Sequence, residues 1–363
     1  MRIFYRLSCF FLLCTTVHLG AQDIHFSQYN MSPLTLNPAQ AGAFFGTARI
    51  GGIYRDQWLF LPKDYSTRSF FVDAPIVKGF RKKRNDWVGV GLSMYSDRSG
   101  TSRLGSSQQS GNASYHFALN KKGNQHLSLG ISAGTTNYSI LVDTNLVFEE
   151  DIIGRVPGQI ATDRDNITPS TDPNKKFSES ALNPPLAFSI GLMYKATNKD
   201  GDLLELGLSA AQVNQPEYGF QLGFNPSDTT ANGKQSSKVK RPMRMVLHGL
   251  YTTNLTDVIS ISPSLLVQSL TTSTEIVPEV MAGYKWNPDT RFNAGLGYRV
   301  GDAAILLLGV DHKDLRIGAS WDMRLGQLSS DRGIKGGFEL AANYIIKLYK
   351  KPDVPPSILC PRL

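Results

Sequence analysis

From Gln22 onward the apolar residues of this chain recur at every second position in one segment after another. No window sustains the 3.6-residue period of a helix. In 126–134, Leu127, Leu129, Ile131 and Ala133 alternate with His126, Ser128, Gly130, Ser132 and Gly134. In 186–194, Leu186, Phe188, Ile190, Leu192 and Tyr194 alternate with Ala187, Ser189, Gly191 and Met193. Near the end, Phe338, Leu340, Ala342 and Tyr344 oppose Glu339, Ala341 and Asn343. A strand turns successive side chains to opposite faces, so each segment has one fatty face and one polar or small face.

About fourteen such segments can be counted, near 44–60, 65–75, 87–96, 105–119, 126–140, 185–197, 203–215, 240–253, 257–270, 274–286, 291–300, 303–311, 315–325 and 336–349. Numbered alternately, their connections fall into two classes. One class is mostly tight, as in Asn120-Lys-Lys-Gly123, Asn198-Lys-Asp-Gly201, Asn254-Leu-Thr-Asp257 and Lys313-Asp314, where Asn, Asp and Gly suit hairpin turns. The other class holds every very long connection, about 141–184, 216–239 and 326–335. Short turns on one side and long loops on the other are the plan of an outer-membrane β-barrel. The expectation is an all-β, transmembrane barrel of about 14 antiparallel strands, with both termini periplasmic because the strand count is even. Aromatics near strand ends, Trp58, Trp87, Tyr95, Trp286 and Tyr344 among them, fit interfacial girdles. A secreted sandwich or propeller also has many short strands, but not this loop asymmetry.

Composition narrows the field the same way. Charged residues make up 19% of the 363, below the roughly 25% of soluble domains. Hydrophobic residues make up 41% and are spread along the chain, which excludes disorder. Beyond residue 21 nothing approaches 18 uninterrupted apolar residues, which excludes helical spans. Met1–Ala21 itself has Arg2 and Arg6, then Phe10-Phe11-Leu12-Leu13-Cys14, then Gly20-Ala21, the layout of a cleaved secretory leader. Removing it lowers the net charge from +8 to +6 and leaves Cys360 as the only cysteine, so no internal disulfide can brace the mature chain. The expected organisation is a leader at 1–21, a non-strand segment at 22–43, a barrel at 44–349 and a periplasmic tail at 350–363.

Two stretches do not alternate. The first opens the mature chain: Phe26-Ser-Gln-Tyr29, Ser32-Pro33, Asn37-Pro-Ala-Gln-Ala-Gly42, then Arg49-Ile-Gly-Gly-Ile-Tyr54-Arg55-Asp-Gln57-Trp58. The second closes it, Cys360-Pro361-Arg362-Leu363. Together they closely resemble the hallmarks of the PorP/SprF family of the Bacteroidota type IX secretion system. Ile24-His25 stands where a proline-containing pair is usual, and Leu363 where Phe is frequent. The resemblance implies an integral outer-membrane barrel, distantly related to fatty-acid-transporter barrels that also carry an Asn-Pro-Ala motif. It further implies a role in exporting or anchoring a cognate surface adhesin, in some members for gliding motility. It makes the Cys360–Arg362 ending a contact for periplasmic secretion components.

The residues themselves leave the opening segment two readings. A polar-aromatic segment ahead of the first strand fits a plug in the lumen, since barrels wider than eight strands have room to fill. In that reading Phe26, Ser27, Gln28, Tyr29, Pro33, Asn37, Pro38 and Gly42 belong to the plug, and Tyr54, Arg55, Asp56, Gln57 and Trp58 to the wall beside it. The other reading is a periplasmic tail that meets a partner.

Catalysis, cofactor and metal find no support. The mature histidines, His25, His116, His126, His248 and His312, are scattered without ligand spacing, and no nucleophile elbow occurs. Gly89-Val-Gly91 and Gly295-Leu-Gly297 lack a phosphate fingerprint and read as small lumen-facing residues. The basic run Lys78–Arg84 falls in a short-turn position and reads first as a solvated turn, with an acidic periplasmic protein or lipid headgroups, and no nucleic acid, as the alternative. The acidic loop 141–184 is the leading candidate for docking a secreted adhesin, and Asp228-Thr229-Thr230 resembles a short O-glycosylation signal. Expected partners are therefore outer-membrane lipid, a surface adhesin and periplasmic secretion components. The alternative function is a channel for a hydrophobic or small polar solute.

Overall fold

The computed structural model describes residues 24–57, 65–78, 85–99, 104–141, 176–178, 185–218, 239–270, 273–325 and 336–348. Fourteen strands form the wall. They are β1 (Ala48–Gln57), β2 (Ser66–Lys78), β3 (Trp87–Ser99), β4 (Leu104–Ala118), β5 (Gln125–Leu141), β6 (Leu186–Thr197) and β7 (Leu203–Ala211). Then follow β8 (Arg244–Asn254), β9 (Ile259–Leu270), β10 (Ser273–Asn287), β11 (Thr290–Arg299), β12 (Ala303–His312), β13 (Leu315–Arg324) and β14 (Gly336–Ile346). Each pairs antiparallel with its neighbours in sequence, and β1 pairs with β14 from Ala48↔Ile346 to Gln57↔Gly337. The sheet is thus closed and has no free edge, the condition for strands to stand in hydrocarbon.

All fourteen sequence segments become strands, but several ends move. The segment expected over 203–215 stops at Ala211, because Gln212 and Gln215 take positive φ. At one end of the barrel lie the short connections, including 119–124, 198–202, 288–289 and 313–314; this is the turn end. They turn through Gly123, Gly201 and Lys313, all with positive φ. The opposite end, the loop end, carries every long connection, including 142–185 and 212–243. Both the first strand's start and the last strand's finish are at the turn end.

The alternation decides the faces. Outward, Leu129, Ile131, Phe188, Ile190, Leu247, Leu296, Leu308 and Leu340 are exposed, so a broad belt of aliphatic and aromatic side chains surrounds the wall. A soluble protein rarely exposes so large a contiguous apolar patch, whereas a membrane barrel requires it. Inward, Ser128, Gly130, Gly318, Ser320, Asp322 and Glu339 are buried.

Two readings of the sequence need correction here. The inner face is not uniformly polar or small: Val246 on β8, Leu266 on β9, Val277 on β10 and Ile305 and Leu307 on β12 form a buried apolar strip inside. And not every aromatic joins a girdle. Trp286 and Tyr344 face outward, but Tyr95 is buried and Trp87 stacks on His116 at 4.4 Å. These inner residues have a partner, the segment that precedes β1.

Candidate functional site

Residues 24–42 form short one-turn pieces, Tyr29–Met31, Pro33–Leu36 and Pro38–Gln40, each too short to be stable alone. Their backbone groups must therefore be satisfied by the wall. The segment touches β1, β2, β4, β6, β7, β9 and β14, which lie on all sides of a closed cylinder, so it runs inside.

Near the loop end the contact is ionic. Glu339 accepts from Ser27 N at 2.7 Å and Gln28 N at 2.9 Å, one bond per carboxylate oxygen. Ser27 Oγ donates to Asp322 at 2.6 Å and accepts from Arg55 Nη1 at 3.1 Å and Arg299 Nη2 at 2.8 Å. Arg55 also pairs with Glu339, and with Asp322 at 2.9 Å. Arg299 pairs with Asp322 at 3.1 Å and Glu275 at 2.7 Å. Charges this deeply buried are tolerable only when paired and hydrogen-bonded, and here Arg55 meets two carboxylates and Arg299 three, the third being Asp302 at 3.2 Å. His25 lies within 3.3 Å of both Arg55 and Gln57.

The middle is apolar. Tyr29 and Leu36 pack on the inner strip of Val246, Leu266, Val277, Ile305 and Leu307, while Phe26 and Met31 pack on Ile53 and Ala341. Tyr29 Oη donates to Ser264 Oγ at 2.9 Å.

Toward the turn end the Asn-Pro-Ala-Gln-Ala-Gly stretch acquires a residue-by-residue explanation. Asn37 Oδ1 accepts from Ala39 N at 2.9 Å and caps the turn that Pro38 begins with its fixed φ. Asn37 Nδ2 donates outward to the β6 carbonyl of Leu192 at 3.0 Å. Ala39 and Ala41 are fully buried. A Cβ at Gly130 would strike Ala39 N, and one at Gly191 would strike Asn37 Oδ1. Ala41 O accepts from Ser114 Oγ at 2.6 Å and from His116 Nε2 at 2.8 Å. His116 Nδ1 then faces Ser128 Oγ at 2.6 Å as acceptor. Gly42 takes φ +65°, and a Cβ there would come within 2.7 Å of Gly89 Cα, so only glycine fits. Gly42 N donates to Asp73 at 2.7 Å, Gly42 O accepts from Trp87 Nε1 at 2.8 Å, and Arg49 holds Asp73 by two bonds.

Of the residues singled out in the sequence, Phe26, Ser27, Gln28, Tyr29, Pro33, Asn37 and Pro38 are buried together here, with Gly42 fixed as described. Arg55 and Gln57 point in toward them. Asp56 does not reach the segment: it and Tyr54 fall on the opposite face of β1, bonded to each other at 3.3 Å. Trp58, Cys360, Pro361 and Arg362 lie outside the described residues, as do Asp228–Thr230 and nearly all of 141–184. Gly89 and Gly91 do make room for the segment, Gly91 against Leu34; Gly295 and Gly297 instead abut Met281 and Glu279 of the wall.

Sequence reasoning missed Asp73, Ser114, His116, Arg299, Asp322 and Glu339 as contacts, and His248, whose Nε2 lies 3.3 Å from Asn37 Nδ2. The available signal was their place on inward faces, where an ionisable side chain inside a membrane barrel needs a partner.

The strand ends and the start of the described segment lie at different ends of the barrel. Ala48 and Ile346 share the turn end, but His25 lies beside Gln57 at the loop end. Residues 24–42 therefore run along the lumen from the loop end to the turn end.

The Pseudomonas putida toluene transporter TodX aligns with a TM-score of 0.47 at 11% identity, over 90% of this chain and 95% of its own. A Pseudomonas aeruginosa FadL homologue gives 0.45 at 14%, over 85% and 92%. The translocator domain of the autotransporter NalP from Neisseria meningitidis gives 0.43 at 12%, over 87% and 95%. Among curated proteins, none matches this sequence. The family model described as type IX secretion system membrane protein PorP/SprF matches residues 19–344, nearly the whole chain. With the closed fourteen-strand wall and its apolar belt, that match makes the chain an integral outer-membrane β-barrel belonging to the PorP/SprF family of type IX secretion system membrane proteins.

Proposed function

We propose that this barrel supports export or surface anchoring of a cognate secreted adhesin, with residues 24–42 acting as a plug that keeps its own lumen shut. The observation that carries the reading is the occupied lumen. Two gaps beside the segment, one lined by His25, Arg55 and Arg299 and one by Leu34, Thr35 and Ser209, hold about 30 Å³ each. That is room for about two waters, far below the width of a polypeptide. A barrel so filled acts through its two ends and not through its lumen. A tagged chain captured from outer membranes should bring down a secreted surface protein together with secretion components. Recovery of neither, with the barrel intact, would defeat the proposal.

A second reading, a channel for a hydrophobic solute, is favoured by the apolar strip of Val246, Leu266, Val277, Ile305 and Leu307, which displacement of Tyr29 and Leu36 would uncover. Growth of a deletion strain that depends on such a solute, with surface-protein export intact, would select it.

A further inference from the structure

The first described residues lie at the loop end. His25 contacts Gln57, the last residue of β1, and Ser27 contacts Arg299, the last residue of β11. The segment leaves the lumen at the other end, where Gly42 is fixed by Asp73 and Trp87 and Thr47 N donates to Ile346 O at 2.8 Å. Between these points it traverses the height of β1. Ten residues of strand, tilted as barrel strands are, make that roughly 25 Å. The ionic clamp on Ser27 fixes this polarity, because Arg55, Asp322 and Glu339 are all within four residues of the loop-end termini of their strands.

We propose that the mature N-terminus is displayed at the cell exterior, on the membrane face opposite the end of the last strand. The proposal rests on the outward orientation of the long connections, the general plan of outer-membrane barrels, and on removal of the 1–21 leader. It adds the amino terminus to the rim formed by the long connections, so a protein held at that rim meets both. It also gives the lumen segment a free end on the outside and a covalent anchor, through β1, on the inside.

Cysteine labelling tests this on the full-length chain in cells. The background is Cys360→Ala, which removes the only native thiol of the mature chain. Three single-cysteine versions follow: Val300→Cys at the loop end, Leu348→Cys at the turn end, and a cysteine inserted between Asp23 and Ile24. Val300 and Leu348 are 54% and 73% exposed, so neither substitution disturbs packing. With a membrane-impermeant maleimide, the inserted cysteine and Val300→Cys should react on intact cells, and Leu348→Cys only after permeabilisation. If Val300→Cys reacts on intact cells and the inserted cysteine only after permeabilisation, the proposal is overturned. If Val300→Cys itself needs permeabilisation, the outward orientation of the loops has failed instead. An eight-residue epitope at the 23/24 junction gives a second readout. Antibody binding to intact cells supports outward display, and binding confined to lysed cells rejects it.

Discussion

A methyl group at Gly191 has nowhere to go: it would fall on the carboxamide oxygen of Asn37, whose side chain is pinned by Ala39 N at that oxygen and by the Leu192 carbonyl at its nitrogen. Gly191→Ala should therefore push the 37–41 turn off the wall, at a cost of about 1–3 kcal/mol for overpacking. The displaced segment would offer Tyr29 and Leu36 to chymotrypsin, so cleavage within 24–42 should accelerate while the strands resist. Gly111→Ala is the matched control, since the nearest atom to its added carbon would be Leu92 Cδ2 at 4.0 Å. Equal cleavage rates in Gly191→Ala and the parent chain would rule the steric argument out. Arg55→Leu acts on the same segment through charge. It strands Glu339 and Asp322 without one of their guanidinium partners, and removing one member of a buried pair costs about 3–5 kcal/mol. Urea unfolding in lipid vesicles should register that loss, and Arg55→Lys should recover little of it, because one ammonium cannot span two carboxylates and a hydroxyl. At this scale the Phe26–Gly42 stretch was legible because its turn chemistry is contiguous. Its partners were not, because Arg55 and Glu339 stand 284 positions apart and only closure of the barrel brings them together.

Among the elements, the period-two pattern carried nearly everything about the strands, down to which face Ser128, Gly130 and Glu339 would take. It failed where both faces are apolar. Ala303-Ala304-Ile305-Leu306-Leu307-Leu308 reads as an unbroken run, yet Leu306 and Leu308 face outward while Ile305 and Leu307 pack beneath Tyr29. No rule of alternation separates these roles; the inner need arises from a segment more than 260 residues earlier. The face assignment itself makes a test. Ile131, well inside β5 and 64% exposed, should meet hydrocarbon. Ile131→Arg should lower barrel stability by about 2–4 kcal/mol, the cost of a cation near the bilayer midplane. Ser132→Ala, one residue on and facing the lumen, should change it by well under 1 kcal/mol. Similar effects from both would mean that the two faces of β5 are not separated between lipid and lumen as the burial pattern requires. Folding yield into vesicles and urea midpoints both report the difference.

For the molecule as a whole, closure decides how the inside is used. A fourteen-strand wall is wide enough that its own inward side chains leave space, and segment 24–42 takes that space with apolar packing in the middle and hydrogen bonds at both ends. The strand count could be read from the sequence, as could the loop asymmetry. The direction of the segment could not, because nothing local in Ile24–Gly42 says which end of the lumen it enters. If the segment is a plug, the intact chain in a planar bilayer should be electrically silent, and a chain lacking 24–42 should give discrete conductance steps. Heat-dependent gel mobility would establish that the shortened barrel is still folded. Gly191→Ala, which keeps every residue but loosens the turn, should fall between the two, with brief openings on a closed baseline. Steps from the intact chain as large as those of the shortened one would mean that ions pass beside the segment, and the plug reading would have to be abandoned. The contacts around Ser27 set a further condition: lengthening the open time should require weakening the Arg55–Glu339–Asp322 clamp as well as the Asn37 turn, because either tie alone holds one end of the segment in place.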